Sequence, residues 1–215
     1  MNLLTDKNRP LIHIKIISLC LFIAPTFSFA QVTMDYTTSV KVNNIELNQA
    51  ISANLVENIV GKSTTKISKE YSECTGNYEY STQLQNGHFV KFEIFAEDNP
   101  QIKSETFYKT KNNFQQLGTT KGQVWLTLNT SNLLKDKVLI NQKLISSPYT
   151  LTQFKKDFPI SSKNNNTNVL MLSATEVKPY LKKPNDFDAG YTAFVSFKFK
   201  NGQLNQLEIN RGIAC

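Results

Sequence analysis

Two glutamates lie at the same distance from two Asn-Gly turns, and their side chains could do chemistry. Glu93 follows Asn86-Gly87, and Glu208 follows Asn201-Gly202. A carboxylate pair can cleave a glycosidic bond when its members lie about 5 to 9.5 Å apart and burial raises the pKa of one of them. The polar neighbours of both residues instead favour a solvated sheet face, so we expect no catalysis by this pair.

Histidine and aspartate offer two further candidate sites. His88 is the only histidine after the N-terminal segment. A triad or a zinc site needs other groups that converge on it, so we interpret His88 as an ordinary strand residue. Asp186 and Asp188 could ligate calcium, but an Asp-x-Asp pair lacks the remaining ligands and favours a loop. We therefore predict no enzyme activity, no metal and no cofactor.

The first 30 residues are typical of a bacterial export signal. Basic residues precede an apolar run at residues 16–24, and the segment ends in the small-residue exit Ser28-Phe29-Ala30. The run is shorter than the roughly 20 residues that cross a bilayer, so an uncleaved membrane anchor is the weaker alternative. We predict cleavage after Ala30, location in the periplasm or outside the cell, and no stable membrane anchor.

The charge of the chain does not favour nucleic acid as a partner. The sequence has 24 Lys and Arg against 17 Asp and Glu, for a formal net charge of +7. These basic residues are spread along the chain, whereas a nucleic-acid-binding protein usually concentrates them in a stripe or patch. We therefore expect no nucleic-acid binding.

The cysteines predict one disulfide bond. Cys20 falls within the predicted signal, which leaves Cys74 and Cys215. Two cysteines in an exported protein most simply pair with each other. Such a bond would stabilise the fold by roughly 4 to 5 kcal/mol by restricting the unfolded chain. The alternative is two free thiols.

The order strand, helix and Asn-Gly hairpin occurs twice between residues 42 and 209. In the first copy Ser52 can cap a helix that ends at Gly61, and in the second Thr150 can cap a helix that ends at Pro159. Asn-Gly is the strongest short signal for a hairpin, because both central residues of a type I′ turn need positive φ. The repetition indicates one structural unit used twice.

Between and within the copies, alternating apolar residues predict further strands. Val124, Leu126 and Leu128 alternate as a strand beside the only tryptophan, and a second such pattern runs along residues 191–199.

Residues 104–117 fit a short helix and a loop equally well. The residues after Leu172 are interpreted as a loop because they contain prolines and a glycine.

These patterns predict an α+β protein of two related modules, each a helix packed on an antiparallel β-sheet with an Asn-Gly hairpin. The predicted division is a signal peptide at residues 1–30, a first module at 31–96, a connecting insert at 97–137 and a second module at 138–215.

The order of these elements resembles two known families. The duplicated arrangement is similar to the tandem helix-on-sheet modules of β-lactamase inhibitory proteins. A single copy is similar to the small outer-membrane assembly modules of the BamE type. The resemblance covers most of residues 42–209 and implies a role in binding other proteins, but it includes no motif that assigns a functional residue.

A set of side chains opposite the predicted core could form the binding surface. Phe89 and Phe95 alternate with Lys91 and Glu93, and Phe194 stands on the polar side of its strand. If helices cover only one sheet face, these residues are available to a partner, for which aromatic anchors supply much of the affinity. The alternative is that the connecting insert covers this face.

Together the patterns favour a non-enzymatic protein that binds another protein. The resemblance implies an inhibitor or immunity protein that blocks a cell-envelope-acting enzyme or toxin. The alternative is an envelope assembly or scaffold protein, which would be expected to carry a lipid anchor. A hydrolase or lipid-binding protein ranks third, since it would need Glu93 and Glu208 buried together or a large apolar cavity.

Overall fold

The computed structural model describes residues 32–60, 67–73, 76–83, 87–95, 110–129, 137–145, 148–184 and 191–213. These residues form a nine-stranded sheet, a four-stranded sheet and several short helices. The predicted α+β class is therefore confirmed, and the strands are mostly antiparallel. Cys20, Cys74, Cys215, Asp186 and Asp188 lie outside the described residues, as does the predicted signal peptide.

The strands are β1 (Tyr36–Thr37), β2 (Val40–Val42), β3 (Ile45–Glu46), β4 (Ile51–Ser52), β5 (Ser68–Ser72), β6 (Asn77–Gln83), β7 (Phe89–Ile94), β8 (Lys121–Asn129), β9 (Val138–Ile140), β10 (Lys143–Ile145), β11 (Asn168–Met171), β12 (Tyr191–Lys200) and β13 (Gln203–Ile213). The α-helices are α1 (Val56–Val60), α2 (Phe114–Leu117), α3 (Leu151–Asp157), α4 (Pro159–Lys163) and α5 (Ala174–Lys182), and a 3₁₀ turn spans Ala53–Leu55.

The large sheet has the order β1-β11-β12-β13-β8-β7-β6-β5, and β4 pairs separately with β8. Only the β1–β11 pair of the described strands is parallel. The small sheet has the order β10-β9-β2-β3. Some neighbouring strands are thus far apart in sequence. Strand β8 lies between β7 and the C-terminal strand β13, and β1 pairs with β11.

Alternating side chains give the large sheet two distinct faces. Val90, Phe92, Leu126 and Val195 are fully buried on one face, which we call the inner face. The opposite side is called the outer face. The strand predicted from Val124, Leu126 and Leu128 is confirmed as β8, in which these residues and Gly122 are buried and the alternate positions are exposed or partly buried.

Helix α3 covers the inner face beside β12. The Thr150 hydroxyl oxygen accepts a hydrogen bond from the Gln153 backbone N–H at 3.0 Å, so the predicted cap is confirmed. Phe154 is fully buried, and its ring centroid lies 4.9 Å from that of Phe197. Pro159 lies just beyond the helix and also begins α4, where its missing N–H is tolerated.

The first predicted helix is shorter than expected. Ser52 makes no side-chain capping hydrogen bond, and a 3₁₀ turn precedes the five residues of α1. Val56 and Ile59 are nevertheless fully buried, as their helical spacing predicted. Gly61, the predicted end of this helix, lies outside the described residues.

The connecting insert contributes to the sheet and to its inner face. Its strand β8 is central, and the ring of Phe114 in α2 lies 6.1 Å from Phe92 in an edge-to-face contact. Of the helix considered for residues 104–117, the structure describes Phe114–Leu117 as helical. The described part of the insert therefore does not cover the outer face.

Helix α5 replaces the loop that was predicted after Leu172. It begins with a capping box in which the Ser173 backbone N–H donates to Glu176 Oε2 at 2.6 Å. The Tyr180 ring lies 5.8 Å from that of Tyr36. Since Tyr36 shares the outer face with its partner Leu170, helices lie on both faces of the sheet.

Two equivalent turns join the halves of the chain in the small sheet. Asn43 and Asn44, like Asn141 and Gln142, have positive φ between short paired strands. Strands β2 and β9, which precede these turns, pair with each other. The first asparagine of each turn also donates a backbone hydrogen bond to the residue just before the other strand. The Asn43 N–H donates to Lys137 O at 2.9 Å, and the Asn141 N–H donates to Ser39 O at 3.0 Å.

Tyr149 fixes the approach of the chain to α3. Its hydroxyl donates to Asp157 Oδ2 at 2.9 Å. Burial, and then this hydrogen bond and the negative charge of Asp157, raise the pKa of Tyr149 above its usual range. The neutral phenol is thus the form that the folded state stabilises.

We expect the free energy of unfolding to fall as pH rises above about 10, where an unfolded tyrosine ionises. Because the folded pKa is raised, the contribution of Tyr149 is complete below the unfolded pKa and decreases above it. Urea unfolding at about pH 8 and about pH 11 should show a smaller loss for Tyr149→Phe than for the unmodified protein. Equal losses in the two proteins would contradict this linkage.

Candidate functional site

An exposed phenylalanine stands on the outer face of the central strands. Phe89 begins β7, faces Thr127 on β8 and Gln83 on β6, and is 39% exposed. Strands flank it on both sides, so its backbone position is fixed by two ladders of hydrogen bonds. A large apolar side chain is therefore presented to solvent on a rigid support.

Lys91 and Trp125 lie beside Phe89 in opposite positions of β7 and β8. Lys91 Nζ is 4.8 Å from the centroid of the Trp125 ring and 3.0 Å from Glu79 Oε1. A cation above an indole contributes about 0.5 to 1 kcal/mol at an exposed site. These two contacts hold the ammonium group in place. We call Phe89, Lys91 and Trp125 the aromatic patch.

Glu93 differs from its prediction. It faces Glu79 and Gln123 on the outer side, but it is only 4% exposed rather than solvated. Asn77 Nδ2 donates to Glu93 Oε1 at 2.9 Å, which supplies a partner for the buried carboxylate. Glu93 is therefore part of the folded interior and does not present its carboxylate to a partner.

The other predicted aromatic residues lie away from this patch. Phe95 follows β7 and is partly buried. Phe194 lies on β12, beyond β8 and β13, and is also partly buried, between Leu170 and the 4% exposed Asn210. The structure thus brings Phe89 and Lys91 together with Trp125, but not with Phe194.

The two candidate catalytic carboxylates are far apart. Glu93 faces Gln123 on one side of β8, whereas Glu208 on the other side faces Thr127. Their backbone positions differ by four residues along the strand direction and by two strand spacings across the sheet. This offset corresponds to a separation of roughly 16 Å. Glu208 Oε1 also binds Lys198 Nζ at 2.5 Å. This arrangement does not fit the spacing of a glycosidase pair.

The His88 side chain connects the start of β7 to β8. It is fully buried, and its Nδ1 accepts a hydrogen bond from the Asn129 backbone N–H at 3.2 Å. The Asn129 side chain also donates to Gly87 O at 2.7 Å. These bonds fasten the start of β7 to the end of β8. Within the described ranges, His, Cys, Asp and Glu side chains form no group of three that could hold a metal.

Trp125 is the member of the patch that sequence reasoning did not select. It is the only tryptophan and occupies an outward position between the buried Val124 and Leu126. An outward tryptophan on a strand that alternates strictly was the signal that could have identified it.

Comparisons with protein-family models, with curated proteins and with solved structures each found no match. Among the helices that the structure describes, none has the length and apolar character needed to cross a bilayer. The candidate site consequently rests on the geometry of the outer face.

Proposed function

We propose that this protein binds another protein through the aromatic patch and acts as an inhibitor or immunity protein for an envelope-acting enzyme or toxin. The exposure of Phe89 beside Lys91 and Trp125 is the observation that supports this function most directly. Binding energy in protein interfaces is concentrated in a few aromatic and cationic side chains.

The side chains around the aromatic patch are polar, as in the rim of a protein interface. Gln83 is exposed and Thr127 is partly buried beside Phe89, and Glu208 with its bound Lys198 lies one strand further. Polar side chains around a central aromatic group are typical of protein interfaces. The patch therefore has an apolar centre and a polar border on one continuous sheet.

Rigidity supports inhibition by occlusion. Phe89 and Lys91 lie on a strand that pairs along both edges, and Lys91 is held by Glu79 and Trp125. Little conformational freedom is lost when such residues bind, because they are already ordered. In this proposal the outer face covers the entrance to the target's active site and excludes its substrate.

The finer organisation is proposed together with this function. We infer two related modules at residues 31–96 and 138–215, exported by a cleaved signal at 1–30 and closed by a disulfide between Cys74 and Cys215. The reciprocal turns of the small sheet support the duplication. Reaction of the purified protein with a thiol reagent before and after reduction tests the disulfide.

Replacement of Phe89 by alanine should weaken partner binding by at least tenfold, since truncation of a central aromatic anchor usually costs about 2 kcal/mol or more. The partner is first isolated by affinity capture from envelope extracts and mass spectrometry, and binding is then measured by calorimetry. Tyr71→Ala is the matched control, because Tyr71 is 50% exposed but lies on β5 outside the patch.

The same capture experiment separates the proposed functions. A stoichiometric enzyme or toxin whose activity falls when the protein is added supports inhibition. Recovery of outer-membrane assembly components would support the scaffold function instead. If Phe89→Ala and Tyr71→Ala bind an isolated partner equally well, the aromatic patch is not the binding site.

A further inference from the structure

Strand β10 is an edge of the small sheet, and its middle residue carries an exposed apolar side chain. Leu144 is 54% exposed, more than any other large hydrophobic residue that the structure describes. It stands opposite Leu139 of β9 on the outward side of this sheet, whereas Ile140 and Ile145 are fully buried on the other side. An apolar pair therefore lies on the outward side of β9 and β10.

The backbone of Leu144 points away from β9. The two-residue turn at 141–142 has positive φ, so the flanking residues Ile140 and Lys143 exchange both hydrogen bonds of their pair. Pairs alternate along an antiparallel ladder, and the next pair, Leu139 and Leu144, is therefore not hydrogen-bonded. The Leu144 N–H and C=O thus point to the side of β10 on which the described chain has no further strand.

Two other strand edges of the protein are shielded by polar side chains. At β1, Asn141 Nδ2 donates to Tyr36 O at 3.1 Å, and the Thr38 N–H donates to Asn141 Oδ1 at 3.2 Å. The edge strand β3 carries Glu46, and a charged side chain on an edge strand opposes pairing with another chain. Strand β10 has a leucine at the corresponding place.

The lysine of β10 does not protect this edge, because α3 and the residue after it hold its charge. Lys143 Nζ donates to Asp157 O at 2.6 Å and lies 3.6 Å from Asp157 Oδ1. The same ammonium group lies 5.2 Å from the centroid of the Phe158 ring. The only charge of β10 is therefore already paired, and an edge of this kind is a template for another strand.

We propose that β10 pairs with β10 of a second copy of this chain, in antiparallel orientation about a two-fold axis at Leu144. The two Leu144 residues form a hydrogen-bonded pair in which each N–H donates to the other C=O. This register places Lys143 of one copy opposite Ile145 of the other, so like charges do not face each other. The same surface on both copies is thus self-complementary, as a two-fold interface requires.

The outward side chains favour a second copy over an unrelated peptide. In one chain Lys41, Leu139 and Leu144 lie side by side across β2, β9 and β10. The two-fold axis continues this row with the same three residues in reverse order. Four leucines then lie at the centre with a lysine at each end, which gives the interface an apolar centre and a polar border.

Sedimentation velocity of the purified protein over a roughly hundredfold range of concentration measures this association. The average mass should rise with concentration from that of one chain toward that of two. A pair of three-residue strands buries little surface, so the dimer should dissociate on dilution.

Leu144→Pro should weaken dimerisation on the order of 100-fold, because two N–H groups are lost and the opposite carbonyl oxygens lose their donors. The removed N–H does not bond to β9, and such a position of an edge strand accepts proline. Leu144→Lys, which places like charges opposite each other, should also weaken the dimer. Leu181→Lys is the matched control, since Leu181 is 48% exposed on α5, and it should dimerise like the unmodified protein. Circular dichroism verifies that the variants are folded.

A cysteine at position 144 tests where the axis lies. In a hydrogen-bonded antiparallel pair the two Cα atoms are about 5.5 Å apart, a distance that a disulfide can bridge. Mild oxidation of Leu144→Cys should join two chains through this position, as located by mass spectrometry of the cross-linked peptide. The control Leu181→Cys should give no such cross-link.

Three outcomes would overturn the proposal. The first is the mass of a single chain at every concentration. The second is a dimer that Leu144→Pro and Leu144→Lys leave unchanged, which would place the contact elsewhere. The third is capture of an unrelated extended peptide at Leu144 by a chain that stays monomeric.

Discussion

Replacement of Phe154 by alanine is expected to lower the free energy of unfolding by about 3 to 5 kcal/mol. Phe154 is fully buried, and its ring lies 5.3 Å from Phe158, 4.9 Å from Phe197 and 5.7 Å from Phe199. These contacts attach α3 to β12. The loss combines the transfer energy of the ring with the cavity that remains, since the surrounding rings cannot collapse fully.

Urea unfolding followed by circular dichroism measures this effect. Phe154→Leu is the matched control, because it keeps an apolar side chain at the site and should cost much less, about 1 to 2 kcal/mol. A loss below about 1 kcal/mol for Phe154→Ala would show that this aromatic cluster does not hold α3 in place.

Gly122→Ala is expected to lower the free energy of unfolding by about 2 to 3 kcal/mol. Gly122 lies on the inner face of β8, where an added Cβ would meet two ring atoms of Phe92 at 2.6 and 2.8 Å and the backbone oxygen of Glu93. The Phe92 ring is fully buried and cannot move aside freely. The strands β7 and β8 must therefore separate locally.

Thermal unfolding should show a decrease in Tm of roughly 5 to 10 °C for this variant. Gly202→Ala is the control for adding a methyl group, since nothing lies within 4 Å of its Cβ position. Gly202 has φ +74, so this control costs only backbone strain, about 1 kcal/mol. Equal effects of the two substitutions would exclude steric crowding at Gly122.

Local patterns predicted the elements that bury one regular set of side chains. Val124, Leu126 and Leu128 alternate without interruption, so both the strand and its inner face followed from the sequence. The Thr150 cap followed equally from the residue type and the apolar spacing after it. In such segments the sequence pattern reflects packing of one side of the element against a single layer of the protein.

Helix α5 was missed because two local signals conflict. Pro179 and the nearby loop residues favour an irregular segment, whereas Ser173 and Glu176 form the spacing of a capping box after an apolar strand. In the structure the capping box is formed and the helix accommodates the proline. The packing of Tyr180 against Tyr36 adds a contact that the local sequence cannot reveal.

The candidate site was predicted only in part for a similar reason. Alternation correctly assigned Lys91 and Glu93 to the outer face, but it cannot tell which positions on that face are shielded from water. Phe89 remained exposed, while Glu93 became buried with Asn77 as a partner. Phe194 was separated from Phe89 because β8 and β13 lie between their strands, and that order depends on pairing between distant parts of the chain.

The attachment of residues 33–36 determines the order in which the molecule can be completed. Asp35 bonds to Ser161 across 126 positions of sequence, and β1 pairs with β11. A chain that emerges from its N-terminus must keep this strand unpaired until most of the second half has appeared. Contacts of such long range slow folding because a large loop must close first. The edge of the sheet at β1 therefore cannot be completed before β11 has been made.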